Sequence, residues 1–174
     1  HTLIEADNYH ALQLLEYLYA GKVDCIYIDP PYNTGARDWK YNNDYVDGTD
    51  AYRHSKWLSF MEKRLRMAKK LLNPKDSVLI VTIDEKEYLH LGCLLEEIFT
   101  EARIQMITTV ISAKGVVRTG QFSRVEEYIY ILELGNSSVQ PGIYNMLDDE
   151  IKKEPDRSIE WLGFRRRAPQ AKRN

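Results

Sequence analysis

Residues 77–83 (SVLIVTI) carry apolar side chains at nearly every position rather than at every second one. A strand of that kind has no face to give to water. It predicts a sheet with helices packed on both faces, the α/β arrangement. Residues 23–28 (VDCIYI) form a second, shorter apolar strand. Between them, residues 55–72 (SKWLSFMEKRLRMAKKLL) place Leu58, Met61, Leu65, Ala68 and Leu72 three or four apart, and Asn73-Pro74 ends the run. That is a core-facing helix. Residues 7–18 predict another helix, with Leu12, Leu15 and Leu18 on one face and Asp7 or Asn8 as N-cap. A third helix is predicted over 85–99 through Leu91, Leu94, Leu95 and Ile98. Strands over 103–112 and 127–134 follow with no helix between them, and are expected to pair antiparallel at a sheet edge. Residues 34–54 are polar, aromatic and rich in Asn, Asp and Gly. They read as a long mobile loop with few apolar anchors, a length that suits a lid or binding element. From Gly135 onward no strong periodicity is visible. The expected organisation is therefore a main region, 1–134, and a linker with an appendage, 135–174.

Composition narrows the function classes. At 174 residues, 44% hydrophobic and 29% charged, the chain reads as one ordinary soluble domain or part of a larger one. The net charge of −2 excludes a generic polyanion binder, although Arg165, Arg166, Arg167, Lys172 and Arg173 cluster at the end without an acid. Such a cluster suits phosphate contact or a solvated tail equally. No apolar run approaches the ~18 residues of a membrane span, so no membrane partner is expected. Cys25 and Cys93 lie in apolar sequence surroundings and read as small core residues of a reduced, cytoplasmic protein. The four histidines show no ligand spacing, and no metal is expected. The start at His1-Thr2, without methionine, suggests a fragment.

The 23–28 strand stops abruptly at Asp29-Pro30-Pro31-Tyr32. Open α/β sheets bind ligands beyond the carboxyl ends of their strands, so this stretch sits where chemistry is expected. Each proline restricts the residue before it, which holds Asp29 and Pro30 rigid. Neither proline has an N–H, so no local helix starts there to occupy the Pro30 carbonyl. The outcome is a fixed carboxylate, an available carbonyl oxygen and an aromatic ring close together. An exocyclic amino group on a planar base fits them, donating one N–H to each oxygen while Tyr32 stacks on the ring. With both hydrogens held, the nitrogen lone pair is directed at an electrophile, which is preorganised electrostatic catalysis.

IDPPYNTG, with DNYHAL upstream and YRHSKWLSFMEKRLRMAKKLL downstream, resembles the amino-group DNA methyltransferases. The adenine-N6 enzymes whose catalytic half comes first are most similar, including the modification subunits of type III restriction systems. The likeness runs from about Ile4 to Leu134 and extends weakly into 161–167 (WLGFRRR). It implies an α/β, Rossmann-like methyltransferase sheet with flanking helices. It also implies S-adenosylmethionine as cofactor, double-stranded DNA as partner and a flipped adenine as target. A restriction subunit or a second methyltransferase chain is a further partner. Carried over by position, Asp29, Pro30, Pro31 and Tyr32 would be catalytic, and Asp7 and Asn8 would lie at the cofactor, with a plain helix cap as the other reading of Asp7. Thr82-Ile83-Asp84-Glu85 would end the neighbouring strand at the same sheet edge, with Asp84 as a helix N-cap or a substrate contact. Phe122 is a candidate for the second face of the base pocket, or else a buried loop aromatic. Trp57 and Phe60 read as core or core edge. The family's Gly-x-Gly cofactor loop is missing, since no two of the nine glycines have that spacing. The sheet is thus expected to be incomplete and the chain a truncated portion. Its alternative function is a non-catalytic remnant that binds DNA or a partner subunit, and RNA stays open as a substrate because the pocket reads a base.

Overall fold

The computed structural model describes residues 2–139, apart from residues 43, 113, 118 and 121 and the side chains of 36–38. The chain divides into two units, His1–Ser138 and Val139–Asn174. The second unit, which holds nearly all of the expected linker, the appendage and the basic cluster, lies outside the described residues except for Val139.

Helix α1 (Asn8–Tyr19) leads into strand β1 (Cys25–Ile28), then β2 (Ala36–Tyr41) and β3 (Asp44–Asp47). Helix α2 (Arg53–Leu71), β4 (Asp76–Ile83), α3 (Tyr88–Ile98), β5 (Arg103–Val110) and β6 (Glu126–Gly135) follow. The four-stranded sheet has the order β1-β4-β6-β5. β1 pairs parallel with β4, while β6 runs antiparallel to both β4 and β5. The predicted α/β class and the antiparallel pair are both present. Among the described residues β1 lies at an edge of this sheet.

One sheet face is sealed. Leu79, Val81 and Ile83 of β4 and Leu132 and Leu134 of β6 are buried with Trp57, Met61 and Leu65 of α2 and Leu91 and Leu95 of α3. The other face, with Val78, Ile80, Ile129 and Ile131, is only half-buried among the described residues. β4 therefore alternates buried and half-buried positions although its sequence does not alternate. Helix α1 buries none of its residues fully, and Leu18 of its predicted apolar face is exposed. Asp7 caps it by accepting from the Tyr9 N–H at 3.0 Å.

Two expectations are corrected. Cys25 and Cys93 are both exposed, not core residues. Cys25 lies on the edge strand, and Cys93 points away from the buried α3 stripe of Leu91, Leu94 and Leu95. Residues 34–54 are not a loop with few anchors. β2 and β3 form an antiparallel hairpin whose turn contains Asn42 at a left-handed φ of 51°. Trp39 and Val46 are buried, and the Trp39 ring meets Phe60 of α2 with centroids 5.4 Å apart. The hairpin therefore has an apolar foot, built from an aromatic that the polar composition concealed.

The hairpin closes where Gly35 passes Gly48. Gly35 has φ of 86°, and a Cβ there would come within 2.7 Å of the Gly48 Cα. A Cβ on Gly48 would meet Gly35 Cα at 3.4 Å, an ordinary contact. Gly35→Ala is expected to lower unfolding free energy by about 1–3 kcal/mol, and Gly48→Ala by less than about 1 kcal/mol. Denaturant melts of the two variants check the asymmetry.

Candidate active site

Asp29 follows β1 directly, and the β1–β4 register places Ile28 opposite Val81 and so brings Thr82 beside it. The Thr82 hydroxyl donates to Asp29 Oδ1 at 2.7 Å. Asp29 itself is exposed, so its carboxylate is aimed by a neighbour while still open to a ligand. Pro30 is buried, and among the described residues no hydrogen bond reaches its carbonyl. The next carbonyl, of Pro31, accepts from Trp57 Nε1 at 2.7 Å. Asn33 then turns through φ of 55° and is 1% exposed. Its amide donates to the Arg53 carbonyl at 3.5 Å and to Glu87 Oε1. A segment that has given up two N–H donors is thus fixed from outside by an indole, a hydroxyl and a buried carboxylate.

Tyr32 is half-buried at the rim of the core. Burial, the largest cause, raises its hydroxyl above the ordinary value of 10.0; a Thr82 hydrogen bond opposes this, and the Asp29 and Glu127 charges add to it. Deeper in the same end of the sheet, Arg124 neutralises an acidic group. Its Nε lies 2.9 Å from Glu85, its Nη2 2.5 Å from Glu127 and its Nη1 4.0 Å from Asp84. Asp84 is fully buried, and desolvation pushes its carboxyl up despite the Lys86 N–H that its Oδ1 accepts at 2.9 Å.

This arrangement is a carboxylate, a carbonyl and a ring presented together, which suits a planar amine. A family model described as DNA methylase, of the N6 and N4 methyltransferase type, matches residues 23–168. The chain belongs to this DNA methylase family. It is 32% identical to the type III restriction-modification enzyme EcoPI Mod subunit of Escherichia phage P1, over 98% of this chain and 30% of that protein. It is 42% identical to the probable HindVI Mod subunit of Haemophilus influenzae, over 66% of this chain and 14% of that one. With the type II methyltransferase M.KpnI of Klebsiella pneumoniae it shares 32% identity over 82% of this chain and 35% of that protein. The chain thus spans only a minor part of each curated relative. A solved structure of M1.HpyAVI in complex with SAM aligns with TM-score 0.51 at 16% identity, covering 80% of this chain and 58% of that one. That similarity shows a shared methyltransferase fold.

Asp29, Pro30, Pro31 and Tyr32 stand together after β1; the sequence predicts a central parallel strand there, and β1 is parallel to β4 but, among the described residues, at the sheet edge. Asp7 and Asn8 stand elsewhere, by α2: Asn8 Oδ1 accepts from Arg64 Nε at 2.7 Å, and Asp7 lines a cavity with Tyr9, Phe60 and Arg64. Among the described residues no hydrogen bond joins the two groups. Asp84 is too deeply buried to touch a substrate, and it caps the turn before α3, not the helix itself, whose N-cap is Glu87. Phe122 is 98% exposed, so it is not a buried loop aromatic. Trp57 is core, as expected, but its hydrogen bond to Pro31 carried no sequence signal. Thr82, Arg124 and Glu87 were likewise legible only as a strand end, a loop residue and a residue of the predicted third helix, without their partners.

Two outcomes are expected. Trp57→Phe removes the donor to Pro31 together with three ring atoms of a fully buried side chain, and should lower stability by about 2–4 kcal/mol in a chemical melt. Because the folded Tyr32 holds its proton longer than the unfolded chain does, stability is present below its ordinary pKa of 10.0 and falls as pH rises above it. Tyr32→Phe should flatten that fall when melts are compared on either side of pH ~10.

Proposed function

We propose that this chain is the catalytic portion of an S-adenosylmethionine-dependent DNA adenine-N6 methyltransferase of the type III modification kind. The observation that carries the reading is the exposed Asp29 carboxylate, aimed by Thr82, beside a Pro30 carbonyl that no described residue occupies. Adenine N6 offers two N–H donors and a lone pair delocalised into the ring. Asp29 and Pro30 accept one donor each, which draws the nitrogen toward a tetrahedral geometry. Tyr32 supports the base face, where stacking on an aromatic is worth ~1–3 kcal/mol. Pro31 sets the Pro30 backbone. Asp29 and Pro30 would thereby direct the N6 lone pair at the methyl group that the cofactor supplies, and Asp29 would pass the surplus N6 proton to solvent.

S-adenosylmethionine, when bound, supplies the electrophilic methyl group. Asp7 fits the nucleoside part: its exposed carboxylate borders a cavity of about 180 Å³ that also has Tyr9 and Phe60 in its wall. Asn8, held by Arg64, is the adjacent polar contact in this reading. The nucleic acid is double-stranded DNA with the adenine flipped out, where unstacking costs a few kcal/mol that the pocket must offset. The wider reading takes residues 135–174 as a link toward a target-recognition segment. It takes a restriction subunit or a second methyltransferase chain as protein partner and the cytoplasm as location. Two unpaired exposed cysteines suit a reducing compartment, and no described helix is long and apolar enough to cross a membrane.

In a protein containing this segment and the rest of the methylase, Asp29→Ala is expected to cut methyl transfer to duplex DNA at least about 100-fold. Its cofactor affinity should stay within a few-fold, because Asp29 acts on the amino group. Tritiated methyl transfer run beside a cofactor titration reads both. Full turnover by the variant would overturn the role of Asp29. Cofactor and DNA binding without turnover by the unmodified protein would instead favour a non-catalytic remnant.

A further inference from the structure

Glu87 is a fully buried carboxylate that the proposed chemistry does not use. Among the described residues no Lys or Arg forms an ion pair with it. Its Oε1 accepts from Asn33 and lies 2.6 Å from His54 Nδ1. Its Oε2 faces His90 Nδ1 at 3.1 Å but has no hydrogen bond of proper geometry. Burying an ionised carboxylate is costly unless positive charge accompanies it. Arg53 Nε donates to His54 Nε2 at 3.3 Å, which leaves Nδ1 as the ring nitrogen turned toward Glu87. The His54 and His90 rings are 4.9 Å apart, so two imidazoliums here would repel each other.

We propose that His54, Glu87 and His90 form a site for one divalent transition-metal ion of the zinc class. Two imidazole nitrogens and one carboxylate oxygen suit such borderline ions, with solvent completing the coordination. The three ligand atoms already lie within 4.8 Å of one another. Metal–ligand bonds near 2.0–2.1 Å in a tetrahedral centre set neighbouring ligand atoms about 3.3 Å apart. His54 Nδ1 stands 2.6 Å from Oε1 and His90 Nδ1 3.1 Å from Oε2, so each histidine faces its own carboxylate oxygen, and binding one ion widens these gaps by about 0.7 and 0.2 Å. Access is available, since the His54 and His90 side chains are 37% and 46% exposed. Glu87 caps α3 and His90 stands one turn along it, the three-residue step that puts Glu and His on one helix face. His54 comes from the first turn of α2, which is why spacing in the sequence shows no ligand set.

The ion joins the starts of α2 and α3, and through Glu87 it braces Asn33, four residues beyond Asp29. Its role is positioning rather than catalysis. Chelator-stripped protein titrated with zinc chloride by calorimetry, and with cobalt(II) by visible absorption, tests the site without any methyl-transfer assay. One equivalent per chain and the cobalt bands of a low-coordinate nitrogen–oxygen site are expected. His90→Ala and Glu87→Gln should each weaken zinc binding at least about 10-fold, while His10→Ala on α1 leaves it unchanged. His90 is a surface residue, so its variant decides the matter if Glu87→Gln fails to fold by circular dichroism. Absence of saturable binding near one equivalent would overturn the site. Equal affinity in His90→Ala and the unmodified protein would overturn it as well.

Discussion

The hydrogen bond from Trp57 Nε1 to the Pro31 carbonyl carries more of this structure than its 2.7 Å suggests. Two consecutive prolines remove two backbone donors, so the stretch from Asp29 to Asn33 cannot be held by its own turn or helix. It must be held through acceptors and side chains. Trp57 takes one acceptor and is itself fixed by full burial between α2 and the sheet. The core therefore sets the position of the Asp29–Asn33 segment directly, and a shift of α2 would be felt at Asp29.

From that anchor the electrostatics follow. The end of the sheet gathers Asp29, Asp84, Glu85 and Glu127 in a small volume, where like charges disfavour one another. Arg124, only 15% exposed, binds the deeper group, while Asp84 answers burial by favouring its neutral form. Asp29 is left as the carboxylate that faces solvent, with Thr82 fixing its oxygen. The division between structural acids and one presented acid is a consequence of depth. Arg124 and Thr82 sit on opposite sides of that division.

The hairpin supplies the third constraint. Its foot, Trp39 against Phe60, packs on the same helix that carries Trp57. Lys40 rides over the Tyr45 ring at 4.6 Å and leaves a basic group on the hairpin's exposed side. Near the mouth of the hairpin, Gly35 allows the chain to pass from the DPPYNTG segment into β2 with backbone against backbone. The DPPYNTG segment, the hairpin and α2 are thus joined through Trp57, Gly35 and the Trp39–Phe60 contact.

The sequence by itself determined the elements and the chemistry. Apolar periodicity placed α2, α3 and β4 to within a few residues, because burial of a stripe or a strand is written in local spacing. The roles proposed for Asp29, Pro30, Pro31 and Tyr32 rest on covalent stiffness and functional groups that need no distant partner to be recognised. What only the tertiary structure decided are contacts between residues far apart in the chain. Trp57 with Pro31, Thr82 with Asp29, and Asn33, His54 and His90 around Glu87 come from different elements, and no local pattern pairs them. The hairpin was hidden for a related reason: its burial rests on Trp39 and Val46 meeting α2, within a stretch whose composition is polar. Cys25 and Cys93 failed in the opposite sense. An apolar neighbourhood along the chain says nothing of which side of a strand or a helix faces water, and only the packing of β1 and α3 decided that.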